Sequence, residues 1–287
     1  MGPLELVRLT QLMQRTGGRA EIRIAVTDGP VALSHPDLSG ANIHELPGWL
    51  GGTCSLAESA ACRHGTFVVG ILAARRGSTA PAICPGCTLL VRSIFRETAP
   101  TDSRVPSAAP EALAAAIIDV VDAGAHVVNM SAALAQPSPN GERALEQALD
   151  YAAQHAVVIV AAAGNQGSVS SSAITRHPWV IPVAGCDLRG RPMSMSNLGS
   201  SIGRRGLSAP GDNITSLGPE GKPQSFGGTS AAAPFVTGAI ALLLSEFPRA
   251  SAALVKLAVT QAGTPRRKTL VPPLLDAWAS FQMIGAA

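Results

Sequence analysis

The sequence predicts an α/β fold of three layers, in which a mostly parallel sheet carries helices on both faces. Segments with strand character alternate with helical segments from residue 22 to residue 262, which is the pattern of a doubly wound sheet. The strand segments are continuous apolar runs, as expected when both faces of a sheet are covered. With 46% hydrophobic and 14% charged residues, the composition is that of a folded domain with many turns.

Short β-branched apolar runs predict the strands. In order along the chain, these runs are residues 22–26, 89–91, 125–130, 157–160 and 179–183. Helices are predicted from apolar residues at helical spacing and from capping signals, as where Pro110 opens a helix and Gly124 stops it. The predicted helices lie in residues 62–73, 110–123, 141–154, 230–244 and 251–262. Residues 31–60 and 96–110 are rich in polar and turn residues, and we interpret them as loops.

No linker or internal repeat interrupts this alternation. We therefore divide the chain into an N-terminal extension, residues 1–20, and a single domain, residues 21–287. The extension has the pattern of a short amphipathic helix ended by Gly17 and Gly18.

The sequence argues against several classes of protein. Lysine and arginine number 22 against 19 acidic residues, and no basic run with interleaved aromatic residues occurs, so we expect no nucleic-acid partner. The longest apolar stretch, residues 231–244, is shorter than the roughly 20 residues that span a bilayer, so no membrane association is expected. Residues 1–20 lack the apolar core of a signal peptide, which predicts a cytoplasmic protein.

The chain is organised around residues 227–234. A pair of glycines at the start of this stretch leads into an apolar run, residues 235–244, which predicts a buried helix. Ser230 then lies at the N-terminus of that helix, where free N–H groups and the helix dipole favour negative charge. The position suits a serine nucleophile, although an N-cap function of Thr229 or Ser230 is the commoner use of these residue types.

Two further residues gain chemical meaning only in combination. Asp28 follows the first predicted strand, at the sheet edge where α/β proteins build their sites, although an ordinary turn aspartate is the commoner case. His64 lies at the front of the helix predicted for residues 62–73. A catalytic histidine there would need a carboxylate to hold its ring. His35 has no evident partner, and we expect it at the surface.

Four short motifs carry a resemblance to a known family. In order, they are Asp28-Gly29, His64-Gly65-Thr66, Ala162-Ala163-Gly164-Asn165 and the stretch from Gly228 to Pro234. The sequence thereby resembles the subtilisin-like serine proteases of peptidase family S8, which present Asp, His and Ser in this order. The resemblance spans roughly residues 22–262 and implies that residues 21–287 form one subtilisin-like peptidase domain.

The resemblance implies a role for each matching residue. Ser230 would attack the scissile carbonyl, His64 would take and return its proton, and Asp28 would orient the imidazole and stabilise its charged form. The side-chain amide of Asn165 and the Ser230 N–H would stabilise the oxyanion. The expected substrate-binding residues are Ser131, Ala132, Ala133 and Gly164. The family usually has glycine near position 133, so a large aromatic side chain at the cleavage site is less expected here.

Three further spans resemble a narrower group, the maturation proteases of cyanobactin and related ribosomal peptide pathways. The spans are residues 83–95, 124–131 and 209–214. This resemblance implies a serine endopeptidase that removes leader or follower sequence from a precursor peptide. Some members of the group macrocyclise their product. Nothing between Asp28 and His64 resembles the added helical pair of those members, so we expect hydrolysis.

Two other functions stay open on the sequence. One is that of a general degradative subtilase. The other is that of a non-catalytic relative that binds peptides and presents them to another enzyme. The presence of Asp28, His64, Asn165 and Ser230 together counts against the second, because a binding module needs no such set.

Five cysteines are present, and their state is not decided by the sequence. Cys84 and Cys87 form a CxxC motif, which is compatible with a redox pair or half a zinc site, but no second pair stands at zinc spacing. Local disulfides, Cys54–Cys62 and Cys84–Cys87, and free thiols are the simpler interpretations. A redox function would require exposed thiols of low pKa. Many subtilases bind calcium, and no Asp/Asn cluster of the EF-hand kind occurs here. The sequence supports neither a metal nor a cofactor and leaves a structural calcium undecided.

Overall fold

A parallel sheet of seven strands lies at the centre of the computed structural model, which describes residues 1–48, 50–99, 108–131, 139–262 and 269–286. Its strands are β1 (Arg23–Asp28), β2 (Asn42–Glu45), β3 (Thr88–Ser93), β4 (Val127–Met130), β5 (Val158–Ala162), β6 (Val180–Cys186) and β7 (Leu207–Pro210). Their order across the sheet is β2-β3-β1-β4-β5-β6-β7, and every neighbouring pair runs parallel. The five predicted strands are all present, and β2 and β7 extend the sheet at its two edges.

Helices cover both faces of this sheet, which confirms the predicted three-layer α/β architecture. The helices are α1 (Pro3–Leu6), α2 (Leu9–Arg15), α3 (Ala60–Ala73), α4 (Pro110–Asp122), α5 (Pro139–Gln154), α6 (Ala173–Arg176), α7 (Ser200–Arg205), α8 (Thr229–Glu246), α9 (Ala252–Gln261) and α10 (Ala277–Gly285). On one face, α3, α8 and α9 bury their apolar side chains in the larger of the two main hydrophobic clusters. On the other face, α4 and α5 pack on the sheet in the second cluster.

The helix α8 runs through the middle of the larger cluster. Every residue in it except Ser230 and Glu246 is buried. By length and composition α8 could cross a membrane, but 89% of its apolar window is buried inside the protein, as is typical of a core helix. The apolar run that predicted a buried helix therefore forms one, and Ser230 lies in its first turn.

The N-terminal segment forms two short helices where one was predicted. The chain breaks between α1 and α2 at Arg8, whose φ of 53° lies in the left-handed region. Leu9 and Leu12 on α2 are fully buried in the larger cluster. Arg15 forms an ion pair of 3.1 Å with Glu246 at the end of α8. The segment is thus packed onto the central helix.

Several elements have no counterpart in the sequence prediction, among them the short helices α6 and α7. Two short strands, β8 (Ile214–Leu217) and β9 (Pro223–Phe226), form an antiparallel hairpin, and α10 follows a proline-containing stretch. Within the predicted loop of residues 31–60, the structure contains the edge strand β2. Three of its four side chains are polar and exposed, so it lacks the apolar run by which a buried strand is recognised.

His35 is buried, and the expectation that it lies at the surface was wrong. Only 4% of the residue is exposed. Its Nδ1 accepts a hydrogen bond of 3.0 Å from the N–H of Asp37 and so caps a short 3₁₀ helix, Pro36–Leu38. Burial lowers the pKa of the imidazole, and the nearby charge of Asp37 opposes this only in part. His35 is therefore a structural residue of the loop.

Candidate active site

The candidate site lies where the strand order of the sheet reverses. β1 has β3 on one side and β4 on the other, so the chain leaves the middle of the sheet in both directions. In open α/β sheets such a reversal opens a crevice at the carboxyl ends of the strands. Asp28 is the last residue of β1, and Ser131 directly follows β4. The pairing of Thr27 with Met130 brings these two strand ends together.

Asp28 and His64 are joined by a direct hydrogen bond. The distance from Asp28 Oδ1 to His64 Nδ1 is 2.6 Å. The same oxygen accepts a hydrogen bond of 2.6 Å from the N–H of Gly29, and the carboxylate is fully buried. The imidazole is 24% exposed. This arrangement uses Nδ1 to hold the ring and leaves Nε2 as the nitrogen available to a reaction.

Two glycines let the helix that carries His64 approach the end of β1. A Cβ at Gly29 would collide with the carbonyl oxygen of Ala61 on α3, and a Cβ at Gly65 would collide with the carbonyl oxygens of Gly29 and Pro30. Glycine at these positions permits a close backbone approach that no other residue allows. The residues that follow Asp28 and His64 therefore set the separation between them.

The positions of these two residues differ slightly from prediction. Asp28 is the final residue of β1, where a turn residue was expected. His64 lies in the second turn of α3, because that helix begins at Ala60.

Burial and the aspartate act on His64 in opposite directions. Burial of the imidazole lowers its pKa, while the charge of Asp28 and the hydrogen bond to it raise it. The outcome is a pKa above the ordinary value of 6.5. The pair is therefore poised so that His64 takes a proton readily and its charged form is stabilised by Asp28.

A phenylalanine that the sequence reasoning missed lies beside His64. The ring of Phe226, the last residue of β9, stacks near His64 with 6.2 Å between centroids, and it packs edge-on against Phe67 at 4.9 Å. The guanidinium of Arg63 lies 5.7 Å above the same ring and is held by Gln224. No sequence motif around Phe226 predicts this contact, because the contact depends on the β8–β9 hairpin folding back over α3.

Ser230 is the second residue of α8, and it is half-buried. The helix is preceded by Gly228 at a φ of 129°, a conformation that favours glycine. The first four N–H groups of a helix have no partner within it, and the helix dipole favours negative charge there. Among the residues described, no hydrogen bond joins His64 to Ser230. The start of α8 therefore determines where Ser230 lies. Ser230 follows Phe226 by four residues.

Asn165 is oriented by the residue that precedes Ser230. Its Oδ1 accepts hydrogen bonds from the N–H of Thr229 at 2.9 Å and from the Thr229 hydroxyl at 3.0 Å. The Thr229 hydroxyl in turn accepts from the N–H of Gly164 at 3.1 Å. Because the oxygen of the Asn165 amide is occupied in this way, its nitrogen is left as the available donor. That nitrogen lies beside Gly228, where a Cβ would approach it to 2.9 Å.

The loop that presents Asn165 is fixed by Asn197, which sequence reasoning also missed. The Asn197 amide nitrogen donates to the carbonyl of Ala163 at 3.2 Å, and its backbone N–H donates to the carbonyl of Gly164 at 2.9 Å. Its oxygen accepts from the N–H of Gln166 at 3.0 Å. Gly164 itself is buried at a φ of 106°. The predicted oxyanion segment is therefore a rigid turn.

The predicted substrate-binding segment is described only at its first residue. Ser131 is 8% exposed, and its hydroxyl accepts a hydrogen bond of 2.8 Å from the side chain of Asn129. Ala132 and Ala133 lie outside the described residues.

The two predicted cysteine pairs differ in oxidation state. Cys54 and Cys62 form a disulfide, whereas Cys84 and Cys87 are both free and fully buried. The hydrogen bond to Cys87 and burial hold the pKa of Cys84 well above its usual range. Thiols without exposed surface do not meet the requirement for a redox pair.

One cluster of side chains in the described part of the chain has the spacing of a metal site. It contains Cys54, Cys62 and Glu97. The two sulfurs are joined to each other. The Glu97 carboxylate accepts hydrogen bonds from the N–H groups of Ser55 and Leu56 at 3.0 and 2.8 Å. The cluster is therefore a loop that is held by a disulfide and by hydrogen bonds to Glu97. Its last cysteine, Cys62, lies two residues before His64.

Comparison with known proteins places these features in context. The family model described as the Subtilase family matches residues 19–272. Fervidolysin of Fervidobacterium pennivorans is 32% identical over 275 residues, which cover 86% of this chain and 38% of fervidolysin. Subtilisin DY of Bacillus licheniformis is 29% identical over 269 residues, which cover 91% of this chain and 90% of that protein. The chain thus spans less than half the length of fervidolysin but most of subtilisin DY.

Similar solved structures include protease domains and a maturation protease. A mutant of the PatA protease domain superposes with a TM-score of 0.82 and 31% identity over 94% of this chain and 98% of that chain. The prenylagaramide maturation protease PagA gives a TM-score of 0.84 and 28% identity over 96% of this chain and 98% of that chain. The PatG macrocyclase in complex with peptide is similar in fold, with a TM-score of 0.83 at 20% identity.

Proposed function

This chain belongs to the Subtilase family of serine peptidases, and we propose that Ser230 is its nucleophile, His64 its general base and Asp28 the residue that orients His64. The observation that carries the proposal is the 2.6 Å hydrogen bond from the buried Asp28 carboxylate to Nδ1 of His64. That bond leaves Nε2 of His64 to accept a proton, and the nearby helix terminus supplies a serine.

The reaction follows from these groups. A peptide carbonyl lies against the start of α8, and Ser230 Oγ attacks its carbon while His64 Nε2 takes the hydroxyl proton. His64 then gives this proton to the leaving amine. The C–N bond breaks and leaves the acyl group on Ser230 Oγ as an ester. Water, deprotonated by the same imidazole, attacks this ester, and His64 returns the proton to Ser230 Oγ as the acid leaves. Throughout, the Asp28 carboxylate stabilises the charged imidazolium.

The oxyanion is stabilised by two donors. One is the amide nitrogen of Asn165, whose oxygen is occupied by Thr229. The other is the N–H of Ser230 at the start of the helix. Donors fixed before the reaction cost no reorganisation during it, which is why such groups contribute strongly to catalysis.

We propose further that the substrate is a ribosomally made precursor peptide from which the enzyme removes a leader or follower sequence. Support comes from the likeness to PatA and PagA, both above 25% identity and both covering nearly the whole chain. PagA carries the words maturation protease in its name. The likeness to the PatG macrocyclase, at 20% identity, concerns the fold alone, so we propose hydrolysis.

A general degradative protease is the second candidate. It is favoured by the match to subtilisin DY, which covers 91% of this chain at 29% identity. A non-catalytic peptide-binding protein is disfavoured, because such a protein would have no use for the Asp28–His64 hydrogen bond or for the orientation of Asn165.

We also propose a cytoplasmic location, without a metal, cofactor, nucleic-acid or membrane partner. The Cys54–Cys62 disulfide counts against that location, because disulfides persist mainly in oxidising compartments. Mass spectrometry of the native host's cytoplasmic fraction and of its culture medium tests the location. Recovery of the protein in the cytoplasmic fraction supports it, and recovery only from the culture medium contradicts it.

The substrate proposal is tested by incubating the protein with candidate precursor peptides encoded near its gene and, separately, with denatured casein. Mass spectrometry locates every cut. Ser230→Ala is the inactive variant, and Ser245→Ala on the same helix is the matched control. One discrete cut in a precursor, absent with Ser230→Ala and with casein intact, supports maturation. Cleavage of casein at many sites establishes the degradative function.

A further inference from the structure

We propose that Asn129 is a positioning residue, through which the helix bearing Ser230 fixes Ser131, the first of the predicted substrate-binding residues. The proposal rests on the function proposed above. It concerns a line of side chains that runs from α8 through β4 to Ser131. None of these contacts involves Asp28, His64 or Asn165.

Three buried side chains form this line. The hydroxyl of Thr237 on α8 donates to Asn129 Oδ1 at 2.9 Å, and Asn129 Nδ2 donates to Ser131 Oγ at 2.8 Å. Thr237 and Asn129 are fully buried, and Ser131 is 8% exposed. Both ends of the Asn129 amide are thus used, one toward the helix and one toward the strand end.

The fold alone does not require a polar residue at this position. The β4 neighbours Val127 and Val128 are apolar and fully buried, as are most residues that α8 packs against. Burying an amide costs free energy unless its groups find partners. A paired amide, however, defines both the distance and the direction of its neighbours, whereas an apolar side chain would only fill the space.

The helix geometry explains what is being aligned. Thr237 follows Ser230 by seven residues, or about two helical turns, so both lie on the same side of α8. The Ala233 carbonyl oxygen lies 3.2 Å from the Thr237 hydroxyl and shares its single proton with Asn129, which restricts the orientation of the hydroxyl. Ser230 and Thr237 therefore move as one rigid unit. Asn129 ties Ser131, where the predicted substrate-binding segment begins, to that unit.

The consequence is a specific pattern of defects. Without the link, Ser230 keeps its own surroundings, but a bound peptide is misplaced relative to it. A misplacement of about 1 Å costs on the order of 10²-fold in rate. Small reagents that react with Ser230 without pairing to the backbone at Ser131 should be unaffected. A purely structural role would lower both kinds of reactivity together.

The test compares Thr237→Val, Asn129→Leu and the conservative Thr237→Ser with the unmodified protein. Ser245→Ala is the control, because its hydroxyl is equally buried on α8 and also bonds a carbonyl one turn earlier, that of Ala241. Two rates are measured for each. One is kcat/KM for an internally quenched peptide spanning the cleavage site found by mass spectrometry. The other is the rate constant for inactivation by diisopropyl fluorophosphate.

We expect Thr237→Val and Asn129→Leu to lower kcat/KM for the peptide by roughly 10- to 100-fold while inactivation changes less than about twofold. Thr237→Ser keeps the hydroxyl and should therefore cleave the peptide like the unmodified protein. Ser245→Ala should change neither rate. The inference is overturned if both rates fall in parallel, or if peptide cleavage by Thr237→Val is unchanged.

A failure of the proposed function would look different. The unmodified protein would then neither cleave peptides nor react with diisopropyl fluorophosphate. In that case the positioning role is judged from the affinity of a fluorescein-labelled precursor peptide for the Ser230→Ala protein. The role is supported if adding Thr237→Val to Ser230→Ala weakens peptide binding and adding Thr237→Ser does not. It is overturned if all three proteins bind the peptide equally.

Discussion

The buried carboxylate of Asp28 holds His64 through a hydrogen bond of 2.6 Å between Oδ1 and Nδ1. The geometry commits one imidazole nitrogen to a structural contact and leaves the other free. It also raises the pKa of His64, because the charge of Asp28 and the hydrogen bond outweigh the effect of burial. The first two predictions follow from this pair.

Peptide cleavage should increase with pH through a midpoint above 6.5. His64 accepts a proton from Ser230 only when it is neutral, and its pKa lies above the ordinary value. The measurement is kcat/KM from pH 5 to 10 on a peptide that does not itself titrate in this range. Asp28→Asn should lower the midpoint and reduce kcat by on the order of 10⁴-fold. A wild-type midpoint at or below 6.5 would contradict the assignment.

The same pair should make the folded protein less stable as pH rises. A histidine whose pKa is higher when folded binds more protons in the folded state between the two pKa values. Its contribution is complete below the unfolded pKa of about 6.5 and is lost as pH rises through the folded pKa. We expect this decline in urea unfolding of Ser230→Ala, which avoids self-digestion.

Adding His64→Gln isolates that effect from the other histidines. Burial lowers the pKa of both His35 and His126, so their contributions change below 6.5, in the opposite sense. The difference between Ser230→Ala and the double variant should therefore shrink above pH 6.5. A difference that stays constant with pH would argue against a raised pKa of His64.

Loss of the Asn165 donor should lower kcat by about 10²–10³-fold with little change in KM. Asn165→Asp separates donation from structure. Its carboxylate can still accept the two hydrogen bonds from Thr229 but has no N–H to give. Steady-state kinetics should therefore show both Asn165→Ala and Asn165→Asp to be impaired. Thr229→Ser, which keeps the hydroxyl, is the control and should retain activity. Near wild-type turnover by Asn165→Asp would exclude the side chain as an oxyanion donor.

Removal of the Cys54–Cys62 disulfide should cost about 2–3 kcal/mol of unfolding free energy, the amount expected for a loop of this length. The variant is Cys54→Ser with Cys62→Ser in the Ser230→Ala background, and the measurement is urea unfolding. Dithiothreitol should reproduce the loss in the parent protein and have no effect on the variant. A parent protein that is unaffected by reduction would show that the disulfide does not contribute.

Leu12→Ala should destabilise the protein by about 2–5 kcal/mol, although it lies in the segment that we assigned as an extension. Leu12 is fully buried against the core, whereas Gln14 on the same helix is exposed. Gln14→Ala is therefore the matched control and should change stability by less than about 0.5 kcal/mol. Equal stability of the two variants would indicate that the segment folds independently of the domain.

Local patterns explain why much of the fold could be predicted. The buried strands are short apolar runs, and α8 is an apolar run after a glycine turn. Such signals lie within a few consecutive residues, so they can be recognised without knowing which segments pack against them. The edge strand β2 and the β8–β9 hairpin are short and partly polar, and their stability comes from neighbours distant in the chain. They were missed for that reason.

By itself, the sequence determined the three-layer α/β fold, the family resemblance and the placement of Ser230 at a helix N-terminus, because periodicity, turn residues and motif order are local properties of the chain. Only the tertiary structure decided which groups touch. It paired Asp28 with His64, set Phe226 against that imidazole, occupied the oxygen of Asn165 and linked Thr237 to Ser131 through Asn129. These contacts join residues brought together by the packing of helices on the sheet. Their distances depend on that packing and not on any pattern within one segment.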